Sequence, residues 1–104
     1  MWMMVMFDLP VVSATDRKKA TKFRAFLEKE GFQMCQFSVY ARFCGTRDRT
    51  TSLYGRIEAN IPEKGKVSII EFTDKQFGDI VHLLNKKRTK EKSNPEQLLL
   101  FEDS

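Results

Sequence analysis

The sequence predicts an α+β sandwich in which helices cover one face of a single sheet, and three observations carry that expectation. Residues 1–7 are apolar at every position, residues 32–43 alternate apolar and polar side chains, and two intervening stretches repeat apolar residues at helical spacing. A chain of 104 residues, 41% of them hydrophobic, has material for one core and one domain.

The first run, Met-Trp-Met-Met-Val-Met-Phe, ends at Asp8 ahead of Leu9-Pro10, where proline would break a helix or a ladder. Its composition predicts a strand buried on both faces. Ser13 with Asp16 three residues on has the form of a capping box, and Ala20, Phe23, Phe26 and Leu27 follow on one helical face before Gly31. The opposite face carries Arg17, Lys18, Lys19, Lys22, Arg24 and Lys29, which outnumber Asp16, Glu28 and Glu30. Such a face is by default solvated.

Between residues 32 and 43 the period of two marks strand, with Phe37, Val39, Ala41 and Phe43 against Gln36, Ser38, Tyr40 and Arg42. Phe32 and Met34 sit on the other parity, so a bulge or break is expected near Gln36 and Phe37. Gly45 ends this unit, Thr46 can cap a second helix with Leu53, Tyr54, Ile57 and Ile61 on one face, and Pro62 stops it. Residues 66–72 read as a strand, 73–78 as a turn of helix and 80–84 as a further short strand. Residues 85–96 hold no apolar side chain and many cations, the composition of a basic solvated linker. Beyond it, residues 97–104 contain Leu98, Leu99, Leu100 and Phe101, a small strand seeking an edge. The expected division is thus a folded unit over 1–84, a linker over 85–96 and a terminal strand over 97–104.

The order strand, helix, strand pair, helix, strand is that of a ferredoxin-like βαββαβ sheet with both helices on one face. The other face would be bare, yet residues 1–7 offer apolar side chains to both sides. A homodimer packed sheet face to sheet face, or a larger partner in that place, is therefore expected.

The net charge of +4 suits a polyanionic partner. No stretch approaches the ~20 apolar residues of a membrane-spanning helix. Residues 1–7 are too short for a signal core and lack a basic leader, so a cytoplasmic location and free thiols at Cys35 and Cys44 are expected. Those cysteines and His82 fall in no zinc-ligand spacing. Asp8 leaves two readings open: an Asx turn starting the Leu9-Pro10 loop, or a metal ligand at a strand end. One carboxylate is little for Mg²⁺, and a two-fold axis near Asp8 would supply a second.

Taken together, Phe7-Asp8-Leu9-Pro10-Val11, the helix with Asp16-Arg17-Lys18-Lys19 and Lys22-Phe23-Arg24-Ala25-Phe26-Leu27, Glu30-Gly31-Phe32, Gln36-Phe37-Ser38-Val39-Tyr40 and Thr73-Asp74-Lys75-Gln76-Phe77 resemble the CRISPR-associated protein 2 family in its type II branch. The resemblance runs over residues 3–84 and more loosely over the tail. It implies a ferredoxin-like homodimer that bridges two dimers of the integrase, CRISPR-associated protein 1, and holds protospacer duplex DNA during spacer acquisition. Family members have also been assigned metal-dependent endonuclease activity on RNA or double-stranded DNA. The family's first-strand Asp maps onto Asp8, which with its symmetry mate would hold Mg²⁺, or Mn²⁺ in its place. Its motif Ser maps onto Ser38, and Tyr40 stands where many relatives have Phe. Arg17, Lys18, Lys22 and Arg24 become candidate phosphate contacts. Two classes of function follow: an adaptor of the integration complex, or a metal-dependent nuclease in its own right. A single-strand RNA module of the RRM type fits poorly, since the exposed central-strand aromatics and the Lys/Arg-Gly-Phe/Tyr signature are absent.

Overall fold

Seven consecutive residues with apolar side chains or a terminal carboxylate form the spine of the molecule, strand β1 (Trp2–Asp8). The structure is a computed structural model that describes residues 1–90. After β1 come α1 (Ala14–Lys29), β2 (Gln33–Gln36), β3 (Val39–Phe43), α2 (Arg47–Asn60), β4 (Lys66–Phe72), α3 (Asp74–Gly78), β5 (Val81–Leu84) and β6 (Lys87–Lys90). Strands β1 to β4 form one antiparallel sheet in the order β2-β3-β1-β4. Together with the βαββαβ chain order, this is the ferredoxin-like arrangement.

The period of two along β1 divides the two faces. Met3, Val5 and Phe7 point to the helices and pack with Phe23 and Leu27 of α1 and Leu53 and Ile57 of α2. Trp2, Met4, Met6 and Asp8 point the other way. There Trp2 is fully buried and stacks on Phe77 of α3 at 3.7 Å between ring centroids. The five-residue α3 thus covers one end of the second face, with Phe72 and Ile80 alongside. Met4 and Met6 are half-buried and Ile70 is 49% exposed, so the rest of that face lies open.

Local chemistry fixes the element ends. Ser13 Oγ accepts from the Asp16 N–H and the Asp16 carboxylate accepts from the Ser13 N–H, the reciprocal cap read from the sequence. Thr73 and Gln76 repeat that cap on α3. Thr46 stands at the N-cap of α2 but makes no side-chain cap hydrogen bond. The expected interruption in residues 32–43 is present: the β2–β3 register shifts between Met34 and Gln36, and Phe37-Ser38 makes the turn, with Ser38 at φ 65°.

One expectation is corrected. Residues 85–90 do not belong to a solvated linker: Asn85 and Lys86 take φ of 52° and 66°, and β6 pairs antiparallel with β5. Two successive residues at positive φ make the tight turn that matches strand twist, and Asn at the first position favours it. The cationic composition of the segment hid a hairpin whose ladder needs only backbone groups. Residues 91–96, and the expected strand at residues 98–101, lie outside the described residues.

Candidate nucleic-acid and metal site

Asp8 ends β1 on the open face, and its side chain is exposed because the register leaves it on the last rung. Its partner there is Lys66, the first residue of β4. Asp8, Lys66, Ser68, Ser38 and Phe37 line one surface depression at this end of the sheet. The β2–β3 turn is tied to β1 by the Phe7 N–H, which donates to the Ser38 carbonyl at 3.0 Å. Ser38 is therefore held beside Asp8 by its backbone. Tyr40 points to the opposite face, buried in the core and stacked on Phe7 at 5.7 Å.

The four candidate cations of α1 do not form one patch. The Arg17 guanidinium donates to the carbonyls of Val11 and Val12 at 3.2 and 3.1 Å, which pins the loop that follows Asp8. Arg24 lies over two rings, Phe37 at 4.9 Å and Phe7 at 5.7 Å. Both arginines thus hold the surroundings of Asp8. Lys18 and Lys22 are exposed, and Lys22 lines a separate groove between α1 and the end of α2 with Lys19 and Ile61.

Metal chemistry within one chain is sparse: among the described residues no three His, Cys, Asp or Glu side chains group to hold an ion. The oxygen donors at the depression are the Asp8 carboxylate and the hydroxyls of Ser38 and Ser68. Such a hard, all-oxygen set suits Mg²⁺ or Mn²⁺ in kind, and with one carboxylate it would leave most coordination positions to water, to substrate phosphate or to a second copy's Asp8. His82 lies half-buried on β5, away from β1 in the sheet order. Lys66, Ser68 and Phe37 escaped the sequence reading as neighbours of Asp8. Only strand register brings them there.

No helix among the described residues is long and apolar enough to cross a membrane. Comparison with known proteins places the chain firmly. Residues 1–80 match the family described as CRISPR associated protein Cas2. A protein of Paracidovorax avenae named "CRISPR-associated endoribonuclease Cas2" is 46% identical over 101 residues, covering 97% of this chain and 94% of its own. Proteins with the same name from Flavobacterium psychrophilum and Streptococcus mutans (strain ATCC 700610 / UA159) are 41% and 39% identical, each over 97% of this chain and over 88% and 92% of their own. The motifs around Asp8, the ferredoxin-like topology and these matches agree: the chain belongs to the CRISPR-associated Cas2 family.

Proposed function

We propose that the chain is a homodimeric, nucleic-acid-binding subunit of CRISPR spacer acquisition that bridges dimers of the integrase, CRISPR-associated protein 1, and holds duplex DNA. The open sheet face carries this reading. Met4, Met6, Ile70 and Phe72 border an apolar depression that α3 leaves uncovered, and a second copy seated there would remove it from water. The exposed cations Lys18 and Lys22, on the helix layer behind that face, stay free to meet phosphates in such a dimer. The test is assembly: the full chain should run as a dimer by light scattering at micromolar concentration and co-elute with the integrase and a duplex. A monomer that binds neither overturns the reading.

A second activity is favoured by the exposed Asp8 and by the endoribonuclease names of the relatives. In this reading the dimer is also a metal-dependent endonuclease, with RNA the first substrate to try and double-stranded DNA the second. The Asp8 carboxylates of both copies would hold Mg²⁺, which supplies a more acidic water and a counter-charge for phosphodiester hydrolysis. Ser38, fixed by the Phe7–Ser38 backbone bond, orients the turn against the site. Cleavage of a labelled RNA that needs Mg²⁺, stops in EDTA and is absent in Asp8→Ala would support this activity. Equal cleavage by Asp8→Ala would end it.

A further inference from the structure

Among the described residues, the depression around Asp8 is lined by one cation, whose place follows only from strand register. Lys66 stands opposite Asp8 on the terminal rung of the β1–β4 ladder, and Ser68 lies two residues further along the same face. Lys66 is exposed. The ion pairs among the described residues join the Met1 amino group to Asp74, Arg56 to Glu30 and Lys75 to Asp79, so none of them engages the Lys66 ammonium. Its backbone is also fixed. Gly65 precedes it at φ +96° and packs so closely that an added Cβ would stand 2.7 Å from the Asp8 carbonyl oxygen.

A carboxylate alone at the end of a sheet repels a nucleic-acid strand, so a phosphodiester brought beside Asp8 needs a positive charge and hydrogen-bond donors within the same depression. Among the described residues lining it, Lys66 is the cation, and Ser38 and Ser68 are the hydroxyl donors. Arg24, whose guanidinium lies over the Phe37 ring, is half-buried and is not among the residues that line the depression. We propose that Lys66 is the phosphate-binding residue of the Asp8 site, its ammonium holding a non-bridging oxygen of a bound RNA strand while Ser38 and Ser68 donate to the same backbone. This deepens the endonuclease reading and rests on it for the meaning of the cleavage readout, whereas the phosphate contact is measurable without metal. A purely structural Lys66–Asp8 cross-strand pair is the competing account.

The experiment uses the full chain and a labelled single-stranded RNA oligonucleotide. Binding is measured in EDTA across a salt series, and cleavage in Mg²⁺. Lys66→Met, which keeps the aliphatic stem, should flatten the log–log salt dependence of binding by about 0.7. It should also lower kcat/KM by roughly 10- to 100-fold, since a misplaced phosphate loses near-attack geometry. Lys66→Arg should restore the salt slope, which a structural role would not require. Trp2 is the sole tryptophan, so its fluorescence reports whether each variant is folded. If wild-type protein cleaves nothing in an Asp8-dependent way, the endonuclease reading fails and the EDTA slope alone decides Lys66. A Lys66→Met protein that binds with the wild-type slope overturns the proposal, and a lowered melting temperature beside that unchanged slope assigns Lys66 to the sheet.

Discussion

Gly65 lies against the backbone of Asp8: a Cβ at position 65 would stand 2.7 Å from the Asp8 carbonyl oxygen and 2.9 Å from Leu9 Cδ2. The residue also has φ +96°, a conformation that side chains rarely adopt. The start of β4 and the end of β1 are thus set at their separation by the absence of a side chain.

Gly65→Ala should therefore cost about 1–3 kcal/mol of stability from backbone strain alone, with the contact adding to it. Because the clash falls on the Asp8 carbonyl, the functional loss should exceed the fold's. Urea denaturation gives the first quantity. Cleavage compared with RNA binding gives the second, and a variant that cleaves normally would show that the Asp8 position tolerates a shift.

Asp8→Asn makes a cleaner case, because it keeps the shape and removes the charge of an exposed side chain. Stability should stay within about 0.5 kcal/mol of wild type. Mg²⁺-dependent cleavage should vanish, while nucleic-acid affinity should hold or rise slightly as repulsion with phosphate is relieved. A filter-binding assay beside a gel cleavage assay separates the two effects.

Much of this fold is legible in one dimension because an unbroken apolar run marks β1 as an interior strand, although only the folded strand shows which side chain meets which face. The capping box at Ser13 and the break near Gln36 and Phe37 are local chemistry, and local chemistry is what a sequence displays. The β5–β6 hairpin is harder to see because Lys86 is an unusual residue at φ 66°, and its neighbours look like a solvated charge run. The candidate site divides in the same way. Asp8 stands out as a charge ending an apolar strand, whereas its pairing with Lys66 is a matter of register between segments nearly sixty residues apart. Along α1, one stripe in sequence divides in the structure into two arginines that contact the Asp8 loop and turn and two lysines that point to solvent.

That division predicts different phenotypes along one helix. Lys18→Ala and Lys22→Ala should leave the melting temperature unchanged and each reduce the salt slope of duplex binding by about 0.9 where the lysine meets a phosphate. Arg17→Ala frees the carbonyls of Val11 and Val12 and should cost roughly 1–2 kcal/mol for hydrogen bonds with a charged donor that water partly replaces. Limited proteolysis should then cut within residues 9–13. Equal salt slopes for all three variants and wild type would return α1 to a solvated face.

Alkaline pH supplies a test of the helix-side core. Burial pushes the Cys44 thiol above its ordinary value of 9.0, against the pull of Arg42. The Tyr54 phenol is raised above 10.0, first by burial and then by the charge of Glu71 and a hydrogen bond to it. Both folded groups hold their protons longer than the unfolded chain does, so their contribution is complete below the unfolded values and is lost as pH rises toward the folded ones. Stability should fall from about pH 9 upward. Tyr54→Phe and Cys44→Ala should each flatten that fall, as read from urea midpoints between pH 8 and 11.

The open sheet face gives the last test. Ile70 is 49% exposed, stands opposite Met4 in the β1–β4 register and lines the apolar depression. In a single copy, Ile70→Glu puts a carboxylate where water already reaches, so the folded chain should change in stability by no more than about 0.5 kcal/mol. In a dimer packed through this face the same carboxylate would be buried away from water. The penalty for an unpaired buried charge is several kcal/mol per ion, enough to move association by orders of magnitude. Ile70→Glu should therefore be a folded monomer at micromolar concentration by light scattering, with the Trp2 environment unchanged because Phe77 still stacks on it. Any Mg²⁺-dependent cleavage should disappear along with the second Asp8. A variant that stays dimeric would move the interface to another surface, such as the outer edge of β2 or β4, and one that is monomeric yet fully active would show that a single Asp8 suffices.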